Sequence, residues 1–88
     1  MDFEVNPDSN KLPLPKLGDL IELRFTDTYA YKVRVKITTI SGDNLNGTVD
    51  NIFTEHNSKY TEIKKSPVLE NIGKSVVFTS EHIFKIFK

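Results

Sequence analysis

The chain has no cysteine, which excludes a disulfide framework, thiolate metal sites and thiol catalysis, and leaves stability to packing. It also lacks an excess of either charge sign, because twelve Lys and Arg balance twelve Asp and Glu. No long-range field therefore draws it toward phosphate backbones or anionic membranes, which counts against non-specific nucleic-acid binding. The four glycines stand singly at Gly18, Gly42, Gly47 and Gly73, so there is no glycine-rich phosphate loop. No apolar stretch approaches membrane-spanning length, and the first residues lack the basic start and apolar run of a signal peptide. A cytoplasmic protein with no membrane partner is the expectation. Its 88 residues supply one core and little surplus for a deep substrate cavity, so a shallow surface site is expected.

What the chain does have is alternation. Ile21, Leu23 and Phe25 fall on one parity and Glu22 and Arg24 on the other, as in a half-buried strand that follows the Gly18-Asp19 turn. The next run is clearer still: Tyr29, Tyr31, Val33, Val35 and Ile37 share one face, and Lys32, Arg34 and Lys36 share the opposite one. Parity slips at Thr38-Thr39, which predicts a bulge. Ser41-Gly42-Asp43-Asn44 predicts a hairpin into a strand over 45–52, with Asn46-Gly47 as the competing turn and Gly47 otherwise marking a close backbone approach. From Phe53 to Gly73 the alternation fades into a long solvated loop; within it, Ser66-Pro67 to Gly73 reads as a single helical turn. Lys74 to Thr79 and Ile83 to Phe87 read as two last strands separated by one tight or 3₁₀ turn.

Residues 1–17 carry Pro7, Pro13 and Pro15 and read as an extended leader, either docked on the domain or free as a proline-rich ligand motif. Residues 18–88 then form one all-β domain. Five strands with short links predict a small five-stranded SH3-like barrel with the long loop at 53–73, and an OB-type barrel is the alternative.

The order Gly18-Asp19-Leu20-Ile21, Val33-Arg34-Val35, Gly47-Thr48-Val49-Asp50-Asn51, Ile72-Gly73-Lys74-Ser75-Val76-Val77-Phe78 and His82-Ile83 resembles small uncharacterised bacterial proteins of SH3-like or Tudor-like barrel topology. The resemblance spans 18–86 apart from the long loop, and Lys74 stands where that pattern has Asp. It implies the barrel fold, and it implies no catalytic residues.

Catalysis finds little support in the residues themselves. No nucleophile-elbow spacing occurs, and the two Glu-His pairs, Glu55-His56 and Glu81-His82, cannot chelate alone because strand neighbours point to opposite faces. No metal and no cofactor are expected. Asn46-Gly47-Thr48 matches a glycosylation acceptor but reads as strand and turn. The candidate binding residues are Asp27, Tyr29, Tyr31, Lys32, Arg34, Lys36 and Tyr60. The bland expectation pairs the three cations with Glu22 or Asp50 across strands and puts Phe25 and Tyr31 in the core, leaving Tyr29 as the exposed ring.

Two functions of different class follow. The leading one is a non-catalytic protein-interaction or accessory module, with Asp27, Tyr29 and Tyr31 on one rim and Tyr60 on the other holding an extended segment. The alternative is a nucleic-acid-binding barrel, with Lys32, Arg34 and Lys36 on phosphates and Tyr29 or Tyr60 stacked on a base, against which zero net charge speaks. A toxin-neutralising or structural accessory protein needs only a complementary surface and leaves no mark. Pairing between copies through the leader or an open strand edge is compatible with all three.

Overall fold

The computed structural model describes residues 2–27, 29–56, 59–62 and 67–87, with side chains described at 2–27, 29–54 and 68–87. Six strands form one antiparallel sheet: β1 (Leu20–Thr26), β2 (Ala30–Ser41), β3 (Asn44–His56), β4 (Lys59–Glu62), β5 (Ser75–Thr79) and β6 (Lys85–Phe87). Their order is β4-β3-β2-β1-β6, with β5 also paired to β3. The all-β expectation holds. The sheet stays open, however: among the described residues no ladder joins β5 to β6, and the 3₁₀ turn Ser80–His82 carries the chain from one to the other.

Alternation decides which side of each strand is buried. Ile21, Leu23 and Phe25 of β1 meet Val33, Val35 and Ile37 of β2 and Leu45, Val49 and Ile52 of β3, with Phe78 and Ile83 completing one core. Two irregularities preserve that parity. Between Arg34 and Val35 the register with β3 slips by one residue, because Asn51 faces Arg34 while Val49 faces Val35. Asp50 is the extra residue of this bulge, and Ile52 stays inward because Asn51 Oδ1 takes its N–H (2.8 Å). The second slip, between Ile37 and Thr39, lies where the run of two threonines predicted it. The β2–β3 hairpin closes on Gly42 and Asp43, with Gly42 at φ +59, a conformation that costs a side chain roughly 1–2 kcal/mol.

The expected five strands are six, and the expected loop at 53–73 is partly sheet. β3 runs on to His56, and β4 returns along it in the register Phe53↔Glu62 to His56↔Lys59. β5 pairs with the opening half of β3, from Asn44↔Thr79 to Thr48↔Ser75. Both partners therefore share one edge of β3, end to end, while β2 takes the other edge. Pro67–Asn71 forms a 3₁₀ turn, and its Val68 packs on the core; Ser66, with which the sequence pattern begins this turn, lies outside the described residues.

The leader is docked. β6 covers the outer edge of β1 over Leu20 to Glu22, and the leader continues along that edge where the Glu4 N–H donates to the Arg24 carbonyl (2.8 Å). The Asn6 N–H donates to the Glu81 carbonyl (2.8 Å), and Asn6 Nδ2 donates to the Ile83 carbonyl (3.0 Å). Phe3 and Leu12 pack on the core, and Ser9–Lys11 adds a short 3₁₀ turn. An extended, proline-rich strap thus spans the corner between β1 and the Ser80–His82 turn. Among the described residues no helix is long and apolar enough to cross a membrane.

Candidate functional site

Two surfaces concentrate chemistry-bearing residues. The first is the rim where β1 turns into β2. There the Asp27 N–H donates to the Tyr29 carbonyl (3.0 Å), which folds the chain back and leaves the Tyr29 ring 62% exposed. Tyr29 meets Tyr31 edge-on, with centroids 6.5 Å apart. Tyr31 in turn stacks on the buried Phe25 at 4.8 Å. The three rings form a ladder from core to solvent, so the outermost one is held by its neighbours at little entropic cost when it is covered. Phe25 is in the core, as the bland expectation had it, while Tyr31 is only partly buried against that core. Tyr60 belongs to β4, opposite Glu55, but its side chain lies outside the described residues, so the second rim is undefined.

The second surface is the outer face of the sheet. Register fixes its composition, since residues paired across antiparallel strands point the same way. One row runs Phe87, Leu20, Lys36 and another Lys85, Glu22, Arg34, Asn51. A third holds Arg24, Lys32 and Phe53, with Phe84 beneath the Arg24 guanidinium at 4.2 Å. Glu22, only 7% exposed, accepts from Arg24 Nε (2.8 Å) and lies 3.9 Å from Lys32 Nζ. Arg34 Nε donates to Asp50 at 2.6 Å, and the bulge is what brings that carboxylate within reach. Lys32 and Arg34 thus have the cross-strand acids expected for them, while Lys36 forms no ion pair among the described residues. Two further cations lie over rings: Arg34 is 5.5 Å from the Phe53 centroid and Lys85 Nζ 5.0 Å from that of Phe87.

Of this face, the sequence pointed to Lys32, Arg34 and Lys36 and missed Arg24, Phe53, Phe84, Lys85 and Phe87. Only strand pairing brings these together, and no spacing along the chain records it. Elsewhere, a cleft of about 330 Å³ opens between the leader and β6, lined by Leu12, Pro13, Pro15, Ile83 and Ile86 with the Ser9 and Ser80 residues at its margin. It has no charged residue in its lining. Near it, His82 accepts the Thr79 N–H at Nδ1 (3.1 Å) and so closes the last 3₁₀ turn. Among the described residues no three His, Asp or Glu side chains are placed to hold a metal ion.

Comparison of the chain with family models, curated proteins and solved structures gives no match. Functional argument therefore rests on these two surfaces.

Proposed function

We propose that the chain is a non-catalytic binding module of SH3-like barrel type that holds an extended segment of a partner protein at the Asp27–Tyr31 rim. The observation that carries this reading is the ladder of Phe25, Tyr31 and Tyr29, which ends in a ring 62% exposed. Exposure alone is ordinary, since Leu14, Leu17 and Val77 are at least as exposed; what favours an interface here is a rigid aromatic with a polar tip backed by two further rings, the kind of anchor that interfaces use. Asp27 beside it offers a carboxylate to a partner's N–H or cation. The barrel assignment is supported by the strand order β6-β1-β2-β3-β5, in which a single 3₁₀ turn links the last two strands. A small barrel of that kind curls its ends toward each other. On this reading the protein works in the cytoplasm, and it needs no cofactor.

The test uses wild-type chain and Tyr29→Ala as paired baits in native lysate. Because the ring is largely exposed, Tyr29→Ala shifts unfolding free energy by less than about 0.5 kcal/mol. Capture of one defined protein by wild type and its loss with Tyr29→Ala, at an unchanged thermal midpoint, supports the reading. Equal retention by both baits, or loss of fold along with loss of capture, removes it.

A further inference from the structure

Among the described residues, β4, β5 and β6 each have one edge that no other strand pairs. Charge, shortness and bulges are the usual guards of such an edge. β4 carries Lys59 and Glu62, and β6 is three residues long with Lys85 as its first. β5 has neither charge nor proline over Ser75–Thr79, and its register with β3 runs without a slip. The hydrogen-bond phase tells which of its backbone groups point outward. At the start of this ladder the Val49 N–H donates to the Lys74 carbonyl (2.9 Å), and the Val49 carbonyl accepts from the Gly73 N–H (2.8 Å). Bonded and unbonded pairs alternate from there, so Val76 and Phe78 turn their groups to β3 while Ser75, Val77 and Thr79 turn theirs away. Two contacts agree with that phase. Asn46, opposite Val77, gives its carbonyl to Thr38 Oγ1 on β2 (3.3 Å), and the outward Thr79 N–H is taken by His82 Nδ1 (3.1 Å). Among the described residues nothing takes the N–H and C=O of Ser75 or of Val77.

We infer that β5 pairs along this edge with β5 of a second copy of the chain. Two such strands, antiparallel about a two-fold axis, satisfy every open group in one register, with Val76 opposite Val76 of the second copy. Ser75 of each copy then faces Val77 of the other as a bonded pair, and the two edges close four hydrogen bonds. Moving the axis by one residue sets Ser75 against Thr79 or Val77 against Gly73, and both of those N–H groups are already spent. The edge is thus complementary to itself, and a longer foreign strand would run into the same spent groups at either end. Copies of a chain with zero net charge also meet without long-range repulsion. Two five-residue strands make a small contact against the roughly 1,200 Å² of a standard interface, so the association is weak. β5 joins the half of β3 remote from Thr54, the residue opposite Tyr31. A dimer therefore keeps both tyrosine rims open, and this inference stands apart from the function proposed for them.

The experiment is sedimentation of the full chain from about 20 μM to about 1 mM, with amide exchange across the same range. Expected is a rise in mass from 10.1 kDa toward a dimer and no further, because an edge used on itself closes at two copies. Exchange at the Ser75 and Val77 amides slows by at least about twofold as the dimer fills, while Val76 and Phe78 are protected throughout. Val77→Lys, at a position 65% exposed, keeps the fold, sets two like charges diagonally across the axis and stays monomeric. The chain has no cysteine, so Val76→Cys brings its only thiols together in an unbonded pair with Cα atoms about 4.5 Å apart, within disulfide reach. Mild oxidation then yields a covalent dimer. Thr79→Cys, about 20 Å from its counterpart in this register, does not cross-link. Tyr29→Ala associates like wild type. A monomer up to about 1 mM, growth beyond two copies, or association of Val77→Lys equal to wild type overturns the inference. So does equal cross-linking of the two cysteine variants, or loss of association in Tyr29→Ala.

Discussion

Gly47→Ala is the sharpest probe of how tightly β2 and β3 are joined. Gly47 pairs with Ile37 on β2 and Val76 on β5, so it is walled in on both sides. A Cβ placed there would meet the Lys36 carbonyl oxygen at 2.7 Å and run into Val35 Cγ1. The side-chain methyl can rotate, but the carbonyl is part of the ladder and moves only with the strand. Overpacking of this kind costs about 1–3 kcal/mol, and the reduced freedom of the unfolded chain returns about 0.4–1 kcal/mol. The net loss is therefore about 1–2 kcal/mol, which lowers the thermal midpoint of a domain this size by roughly 5–15 °C. The assay is paired thermal and urea unfolding of wild type, Gly47→Ala and Gly42→Ala. Gly42 has open space around it but a positive φ, so its loss comes from backbone conformation alone. A double-mutant cycle with Val35→Ala separates the two contacts at Gly47: relief of the methyl clash appears as favourable coupling, and the carbonyl share persists. Gly47→Ala within about 0.5 kcal/mol of wild type would refute the close approach, and with it the β2–β3 register around Ile37.

Other expectations follow from single contacts. Ile52→Ala empties a fully buried position and should cost about 2–5 kcal/mol by denaturant titration. Asp50→Ala removes a partner that is itself well exposed, so it should change stability by less than about 1 kcal/mol; a larger loss would mean that the bulge depends on this pair. Asn6→Ala deletes the bond to the Ile83 carbonyl at about 1 kcal/mol. Amide exchange should then quicken at Glu4 and Asn6 while Tyr31 to Ile37 stay protected, and a uniform loss of protection would contradict a separately docked leader. His82→Ala removes the acceptor of the Thr79 N–H and should cost about 1 kcal/mol.

The parts of the fold that the sequence disclosed are those where one side of a strand faces oil and the other water. β1, β2, the Gly42-Asp43 hairpin, the slip after Ile37 and the Ser80–His82 turn all carry local signals of parity or turn chemistry. β4 carries none, because past Phe53 the sequence holds no apolar alternation, and its pairing with β3 is a matter of backbone register. The docking of the leader, one of the two expectations for it, leaves no periodic trace: it rests on backbone donors, Asn6 and two isolated apolar anchors, Phe3 and Leu12. The tyrosine ladder was readable because its members lie within a few residues of one another. The charged outer face was not, since Arg24, Arg34, Phe53 and Lys85 come from four different strands and meet only once register is set.

The pairing of β1 with β6 also bears on how the chain is made. Ribosomal synthesis yields Leu20 to Thr26 long before Lys85 to Phe87, so the outer side of the first strand emerges without its eventual neighbour. A bare strand of that kind invites pairing with the wrong segment or with another nascent molecule. Glu4 and Asn6 are already outside the tunnel by then, and the hydrogen bond to Arg24 lets the leader sit on part of that side as an early placeholder. Only the Arg24 end of that side can be covered in this way: Leu20 to Glu22 wait for the last strand, and Asn6 gains its partners Glu81 and Ile83 at the same late stage.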